Sequence, residues 1–305
     1  MRHYLNIKLL VWGAFPSALL IATACGGNGV TPVASDARLT VVASIYPMAY
    51  FAERIGGERV DVITLVPPGV EAHSFVPTPG DLQTIARADV AVMNGLALEL
   101  WMTRALDALG ANAPGVVVEA APDSETSDGS PDPHVWLDPL LAMEQAARIL
   151  KEFVALDGAG ADSYAANAAA LIEELEALDA AYVSGLASCT HASFVTTHAA
   201  YGHLAARYGL NQVSITGISP EAEPSARDLA EVIEHVDELA IRFVLVEPSL
   251  SHRLAETVAA ESDLSLLDIH QLGSVTQAEI DAHDDYFGLM RANLENLTTA
   301  LECAA

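Results

Sequence analysis

The chain has 305 residues, 51% of them hydrophobic, and its 14 Lys and Arg against 41 Asp and Glu give a formal net charge of -27 at pH 7. So acidic a chain repels the phosphate backbone of nucleic acid, which excludes a nucleic-acid partner. It also repels anionic lipid headgroups, so attachment to a membrane would have to come from a lipid anchor and not from a basic surface. Its length and apolar content are sufficient for a large core divided between two lobes.

The first residues have the pattern of an export signal. Arg2 and Lys8 precede an apolar run from Leu9 to Ala22, which is too short for a membrane span of about twenty residues and leads through small residues to Cys25. This pattern predicts a signal peptide over residues 1–24. The end of the signal resembles a bacterial lipobox, which implies cleavage before Cys25 and lipid attachment to it. An ordinary signal peptide with an incidental cysteine is the alternative. We expect an extracytoplasmic protein, lipid-anchored to the bacterial cell membrane, in the periplasm or at the cell surface.

A flexible tether is predicted over residues 25–38, which are rich in Gly, Ser, Thr and Pro. From Leu39 onward, short apolar strands alternate with helical segments, a pattern typical of parallel β/α units. The predicted strands of this first lobe, which we assign to residues 39–158, are Leu39–Ile45, Val60–Val66, Val90–Asn94 and Val116–Glu119.

A long helical pattern follows, from about Ala161 to Leu186, and about 26 residues would span about 39 Å. We assign residues 159–187 to this bridging helix and residues 188–305 to a second β/α lobe. The predicted strands of the second lobe are Ser193–Thr197, Gln212–Ile215, Phe243–Glu247 and Ser265–Asp268, and a last helix is predicted from about Ala282 to Leu301. The predicted fold class is α/β: two lobes, each a mainly parallel sheet flanked by helices, joined by one long rigid helix.

Three histidines stand on turn-forming segments far apart in the chain: His73, His134 and His198. Their spacing excludes a zinc finger, whose ligands come in close pairs within one small unit. Each of them, like Asp268, lies at or beyond the carboxyl end of a predicted strand, where open α/β sheets bind their ligands. We therefore predict a metal site in the cleft between the lobes.

Five segments carry a resemblance to a known family: GVEAHSFVPTP at 69–79, NGLALELW at 94–101, DPHVWLDP at 132–139, THAAYG at 197–202 and GISPEAEPS at 217–225. Together they resemble the signature segments of the zinc/manganese solute-binding proteins of bacterial ABC importers, in the same order. The resemblance implies two β/α lobes bridged by a rigid helix, with one metal ion between them. It implies that His73, His134 and His198 are ligands and that Asp268, in the last strand, is the fourth.

Some positions depart from the family pattern or leave alternatives open. Ala72 replaces a usual Pro, and the segment Ile269-His270-Gln271 shifts the local register, so His270 competes with Asp268 as the fourth ligand. Glu71 is a further candidate, in place of another protein ligand or of water. Glu71, Asp138 or a backbone carbonyl is expected to hold the second ring nitrogen of a ligand histidine.

The loop before the second histidine has a different composition from that of many zinc-specific relatives, which carry a His-rich loop there. Residues 122–133 contain Asp123, Glu125, Asp128 and Asp132 but no histidine. We interpret this loop as a solvated acidic segment, with weak gathering of cations as the alternative.

Cys189 and Cys303 remain after lipidation of Cys25 and are a possible disulfide. Cys189 lies just before a predicted strand and Cys303 just after the last helix. In an oxidising compartment such a bond would tie down the end of the chain.

The predicted ligands suit Zn²⁺, because imidazole nitrogen is a good ligand for this ion and one carboxylate completes four-coordination. Mn²⁺ is the alternative, although it would be expected to have more oxygen ligands. The resemblance implies a monomeric receptor that delivers the metal to an ABC permease, without catalysis. A zinc hydrolase would need an open coordination position and a general base, and the His-Glu-x-x-His motif is missing from the sequence. A surface adhesin or a metal buffer would be compatible with the same fold and site.

Overall fold

The computed structural model describes residues 38–122, 131–221, 223–282 and 285–304. The predicted signal peptide, Cys25 and the tether up to residue 37 lie outside the described residues, as do Asp123, Glu125 and Asp128 of the acidic loop. Among the described residues, no helix is both long and apolar enough to cross a membrane.

The first lobe is a four-stranded parallel sheet in the order β2-β1-β3-β4. Its elements are β1 (Leu39–Ala43), α1 (Tyr46–Gly56), β2 (Val60–Thr64), α2 (Pro79–Arg87), β3 (Val90–Met93), α3 (Leu100–Leu109) and β4 (Val116–Glu119). The two central strands, β1 and β3, are buried almost throughout. This explains why β3 is a continuous apolar run and why Thr40 is the one polar residue of β1.

Local sequence sets where the helices of the first lobe begin. Thr78 and Asp81 form a reciprocal capping box at the start of α2, and Pro79 occupies the first turn. Asp138 starts α4 (Pro139–Leu156), because its Oδ1 accepts a hydrogen bond of 2.8 Å from the backbone N–H of Leu140. Asp138 is therefore engaged at a helix N-terminus.

The predicted bridging helix is present as α5 (Ala161–Gly185), which is 25 residues long. It packs against α1 and α4 and also against the C-terminal helix α10 (Tyr286–Ala300). Arg54 of α1 pairs with Glu174 of α5 at 2.5 Å, and the hydroxyl of Tyr182 donates to the carbonyl of Met290 in α10 at 2.7 Å. One helix therefore contacts both lobes.

The second lobe repeats the topology of the first, with strand order β6-β5-β7-β8 and all strands parallel. Its elements before α10 are β5 (Ser193–Thr196), α6 (Gly202–Tyr208), β6 (Asn211–Ser214), α7 (Ala226–Glu238), β7 (Phe243–Val246), α8 (Arg253–Glu261), β8 (Ser265–Asp268) and α9 (Gln277–Asp281). The predicted α/β architecture of two parallel-sheet lobes with a long helix is confirmed.

The end of the chain differs from the prediction, because the last helix begins at Tyr286 and not at about Ala282, and the short helix α9, which was not predicted, precedes it. Asp285 caps α10 by accepting a hydrogen bond from the N–H of Gly288 at 2.7 Å, and this starts a new helix at Tyr286. Helix α6 likewise begins at Gly202 and not at the predicted Ala199. Its N-terminal turn is replaced by a loop that follows His198.

Two hydrophobic cores account for the burial. The larger one contains the first lobe, α5, α10 and the inner face of the second sheet, and the smaller one lies between the second sheet and helices α7 and α8. Strand β7 contributes to both, since Leu245 belongs to the larger core while Val244 and Val246 belong to the smaller one. This division follows the alternation of side chains along a strand.

Side-chain hydrogen bonds tie the lobes together around Trp136, and a disulfide ties down the end of the second lobe. The indole N–H of Trp136 donates to the carbonyl of Gln271 at 2.6 Å, and the hydroxyl of Tyr286 donates to the carbonyl of Trp136 at 2.6 Å. The structure also joins Cys189 to Cys303, with an S–S distance of 1.97 Å. This bond links the segment before β5 to the end of α10.

Candidate metal centre

The three histidines singled out in the sequence meet in the structure. One ring nitrogen from each of His73, His134 and His198 lies within 4.8 Å of the other two. The Nε2 atoms of His73 and His134 are 3.3 Å apart. Within the described ranges, these three histidines are the group of His, Cys, Asp or Glu residues whose ligand atoms lie close enough together to hold one metal ion.

The topology explains this convergence. His73 lies in the loop after β2, His134 in the segment after β4, and His198 directly after β5. All three follow the carboxyl ends of strands, so the loops of the two sheets bring them to one cleft.

His134 is almost fully buried and is held by Asp132. Its Nδ1–H donates to Asp132 Oδ1 at 2.8 Å, and the same oxygen accepts the backbone N–H of His134 at 3.0 Å. A carboxylate can only accept, so this bond places the ring proton on Nδ1 and leaves the lone pair of Nε2 facing the other histidines. Burial lowers the pKa of His134 despite the attraction of Asp132, which keeps the ring neutral and able to bind a cation.

His198 has an equivalent arrangement with Glu247, which follows β7 next to β5. Its Nδ1–H donates to Glu247 Oε1 at 2.5 Å, and the hydroxyl of Thr197 donates to the same oxygen at 3.1 Å. Both His198 and Glu247 are 1% exposed. The residues that orient the ligand histidines are therefore Asp132 and Glu247, whereas Asp138 caps α4. Glu247 stands at the end of a predicted strand, and that position was the signal that the sequence offered for it.

His73 is less buried and less constrained than the other two histidines. Its backbone N–H donates to Glu71 Oε1 at 3.0 Å, and Trp101 Nε1 donates to the carbonyl of Ala72 at 3.1 Å. No carboxylate in the described part of the chain holds its Nδ1 as Asp132 and Glu247 hold those of the other rings. Burial and the neighbouring His134 and His198 lower the pKa of His73 to about 3.

The structure does not bring Asp268 or His270 to the three histidines. Asp268 is exposed at the end of β8, and its carbonyl accepts a hydrogen bond from Asn296 Nδ2. Strand β8 is the edge strand, two positions from β5, and two strand spacings amount to about 10 Å. His270 lies 2.7 Å from Glu279, measured between Nδ1 and Oε1. The sequence places Asp268 at the correct end of the sheet, but the strand order separates it from the cluster.

Two carboxylate oxygens beside the histidines are buried and unpaired. Neither Glu71 Oε2 nor Glu247 Oε2 has a hydrogen-bond partner among the described residues. Burial raises the pKa of Glu71, against the opposing effects of the His73 N–H and of His198, and Glu247 and Glu221 raise it further. A buried acceptor without a donor is unfavourable by about 1–3 kcal/mol. Three converging imidazole nitrogens with such acceptors beside them fit a borderline divalent cation.

Comparison with known proteins gives consistent matches. The model of the family "ZnuA: Zinc-uptake complex component A periplasmic" matches residues 41–300. The chain is 33% identical over 279 residues to the zinc-binding lipoprotein AdcA of Streptococcus pneumoniae, covering 86% of this chain but 56% of that protein. It therefore spans little more than half the length of that relative.

Other matches extend over nearly the whole length of the matched protein. The high-affinity zinc uptake system protein ZnuA of Bacillus subtilis is 32% identical over 305 residues, covering 93% of this chain and 95% of that protein. The crystal structure of the Zn(II)-bound ZnuA-like domain of S. pneumoniae AdcA superposes with a TM-score of 0.76 at 34% identity, covering 87% of this chain and 99% of that chain.

Proposed function

Because this chain belongs to the ZnuA family of periplasmic zinc-uptake components, we propose that it is an extracytoplasmic receptor that captures Zn²⁺ and delivers it to an ABC importer. The observation that carries the proposal is the meeting of three ring nitrogens within 4.8 Å of one another. Two of the three rings are oriented by buried carboxylates, as in carboxylate–histidine–zinc sites.

Zinc is favoured over manganese by the type of ligand. The three converging atoms are all nitrogens, whereas Mn²⁺ prefers sites dominated by oxygen. Relatives named as zinc-binding and zinc-uptake proteins support the same choice. The lowered pKa values of His73 and His134 mean that these rings need not lose a proton before they bind the cation at neutral pH.

The membrane permease of an ABC importer is the proposed partner, and the receptor is proposed to act as a monomer without enzymatic activity. Attachment to the membrane is assigned to lipid on Cys25, in line with a relative named as a lipoprotein. The proposed cargo site includes His73, His134 and His198.

The ties between the lobes limit the movement that accompanies capture. Helix α5 packs against both lobes. Trp136 donates a hydrogen bond to the carbonyl of Gln271, and its own carbonyl accepts one from the hydroxyl of Tyr286. We therefore expect only small closure on metal binding. X-ray scattering with and without zinc is the measurement, and a large change in the radius of gyration would contradict the expectation.

The function is tested by metal competition. The region from Leu39 onward is stripped with a chelator and titrated with Zn²⁺ and Mn²⁺ together. One tightly bound zinc per chain is expected, with loss of binding in His198→Ala.

His270→Ala is the matched control, because His270 is engaged with Glu279 away from the three histidines. It should keep zinc binding. Manganese retained against equal zinc would contradict the choice of metal, and full binding in His198→Ala would contradict the site.

A further inference from the structure

Two of the recesses beside the three histidines differ in size and lining. The first is a cavity of about 290 Å³ whose lining includes Glu71, Thr197, Glu221 and Glu223. We call it the acidic cavity. It meets the chain two residues before His73 and one residue before His198.

The second recess is an apolar groove of about 460 Å³ that includes His73 itself. The rest of its lining is mainly apolar and aromatic, with one arginine: Ser74, Phe75, Val76, Pro77, Leu82, Leu100, Trp101, Arg104, Ala105 and Ala108. The acidic cavity and the groove are therefore both possible approaches for a hydrated divalent cation to the same ligands.

The charges of the two recesses are opposite. The acidic cavity has three carboxylates and one guanidinium, that of Arg253, which lies 3.4 Å from Glu223. The groove has no carboxylate in its lining, and its one charged side chain is the exposed Arg104. Carboxylates concentrate cations at a cleft, whereas an arginine on apolar walls repels them and replaces none of their water.

Glu71 connects the acidic cavity with the histidines. It lines the cavity, and its Oε1 accepts the backbone N–H of His73 at 3.0 Å. Its Oε2 is buried and has no hydrogen-bond partner among the described residues. An oxygen ligand is therefore available at the inner end of the cavity, beside the nitrogens that take the cation next.

We propose that the acidic cavity is the route by which the cation reaches and leaves the three histidines, and that Glu71 binds it transiently during the transfer. The proposal rests on the proposed function of metal capture. Glu71 is not in the group of side chains whose ligand atoms lie within 4.8 Å of one another, which fits a transfer ligand better than a permanent one. Each carboxylate oxygen replaces a water molecule of the cation, so the hydration shell is removed in steps.

Rates of zinc binding test the route. Chelator-stripped full-length mature protein is mixed with Zn²⁺ in a stopped-flow instrument at low salt, and a fluorescent zinc indicator follows association and dissociation. The variants are Glu71→Gln, the pair Glu221→Gln with Glu223→Gln, and Arg104→Gln as the matched charge control in the groove. Gln keeps the shape of Glu, and at position 71 it keeps an oxygen for the His73 N–H.

We expect the double variant Glu221→Gln with Glu223→Gln to bind zinc about tenfold more slowly than the natural protein, in the range that electrostatic steering gives. This difference in association rate should disappear at high salt. Glu71→Gln should slow both association and dissociation, because both directions pass through this residue. Arg104→Gln should leave both rates unchanged.

Several outcomes would overturn the route. Faster association in Arg104→Gln, with an unchanged rate in the double variant Glu221→Gln with Glu223→Gln, would assign entry to the groove. Unchanged rates in all variants would also exclude the acidic cavity as the route. Faster dissociation of Glu71→Gln with normal association would make Glu71 a permanent ligand. Normal zinc binding by His198→Ala is a different result, since it would refute the proposed function itself.

Discussion

The two lobes have the same strand order, yet the buried carboxylates that follow their equivalent strands β3 and β7 have different sets of partners. In the first lobe, Ser44 follows β1 and its hydroxyl donates to Glu99 Oε1 at 2.6 Å. The backbone N–H groups of Asn94 and Gly95, after β3, donate to the same carboxylate at 2.8 and 3.0 Å. In the second lobe, His198 follows β5 and donates to Glu247, which follows β7.

The difference lies in how completely each carboxylate is paired. Both oxygens of Glu99 accept hydrogen bonds and its side chain is fully buried, so it closes the loops of the first lobe with neither oxygen unpaired. Glu247 uses Oε1 for His198 and Thr197, while Oε2 has no partner among the described residues. The segments that follow the equivalent strands β3 and β7 each supply a buried carboxylate, which supports structure in the first lobe and orients a ligand in the second.

The largest expected effect concerns stability of the second lobe, which alone has a disulfide, since the first lobe has no cysteine. Replacing Cys189 and Cys303 by Ser should lower the free energy of unfolding, because the bond closes a separation of 114 residues. The chain-entropy model gives about 4–5 kcal/mol for such a loop. Urea denaturation of both proteins measures the difference.

Reducing agent is the control for this prediction, since it should destabilise the natural protein but not the double Ser variant. A difference much below about 1 kcal/mol would show that the bond contributes little beyond the other contacts of α10.

The next largest effect is expected on zinc affinity in Glu247→Gln, which keeps the shape of the side chain but removes the negative charge that faces His198. Loss of such a supporting carboxylate typically weakens metal binding by about 10–100-fold. Competition with a chromophoric chelator measures the zinc affinity. Asp268→Asn, at an exposed position of the same sheet, is the control and should bind zinc normally. Equal affinities for both variants would refute the role of Glu247.

Glu99→Gln should have the opposite profile. Its new amide N–H₂ faces donors from Ser44, Asn94 or Gly95, and an unsatisfied buried polar group lowers stability by about 1–3 kcal/mol. Zinc affinity should not change. Chemical denaturation and zinc titration are both needed, and weaker zinc binding at unchanged stability would contradict the contrast between the lobes.

The smallest effect is the pH dependence of stability without metal. The pKa of His73 falls from 6.5 to about 3 in the folded protein, and that of His134 is also lowered. Below pH 6.5 the unfolded chain therefore binds protons that the folded chain does not, so stability falls as the pH decreases. Each such proton changes the free energy of unfolding by at most about 1.4 kcal/mol per pH unit.

Urea denaturation at pH 7 and pH 5.5 measures this slope. His73→Ala should have a smaller slope than the natural protein, because one of the responsible groups is gone. The same slope in both proteins would show that His73 is already solvated in the folded state.

The strands, the long helix and the three histidines were accessible from the sequence because each depends on local pattern. Apolar periodicity defines α5 and the strands, and His73, His134 and His198 each stand in a distinctive short segment. Asp132 also lies only two residues from the histidine that it holds.

The role of Glu247 and the position of Asp268 were not accessible in the same way. Both stand at strand ends, and what separates them is that β7 lies next to β5 while β8 lies at the edge. Strand order depends on how the whole lobe packs. A residue pattern along one strand does not contain it, so the sequence did not show that Glu247 lies against His198 while Asp268 lies at the edge of the sheet.

Trp136 gives the molecule an optical property. The centre of its ring lies 5.4 Å from that of His134, and the indole N–H of Trp101 donates a hydrogen bond to the carbonyl of Ala72, the residue before His73. Indole emission responds to nearby charge and to paramagnetic ions, so the arrival of zinc or cobalt should alter the fluorescence of the unlabelled protein. Because the two indoles stand beside different histidines, Trp101→Phe and Trp136→Phe would separate the two signals and reveal in which order the ligands engage.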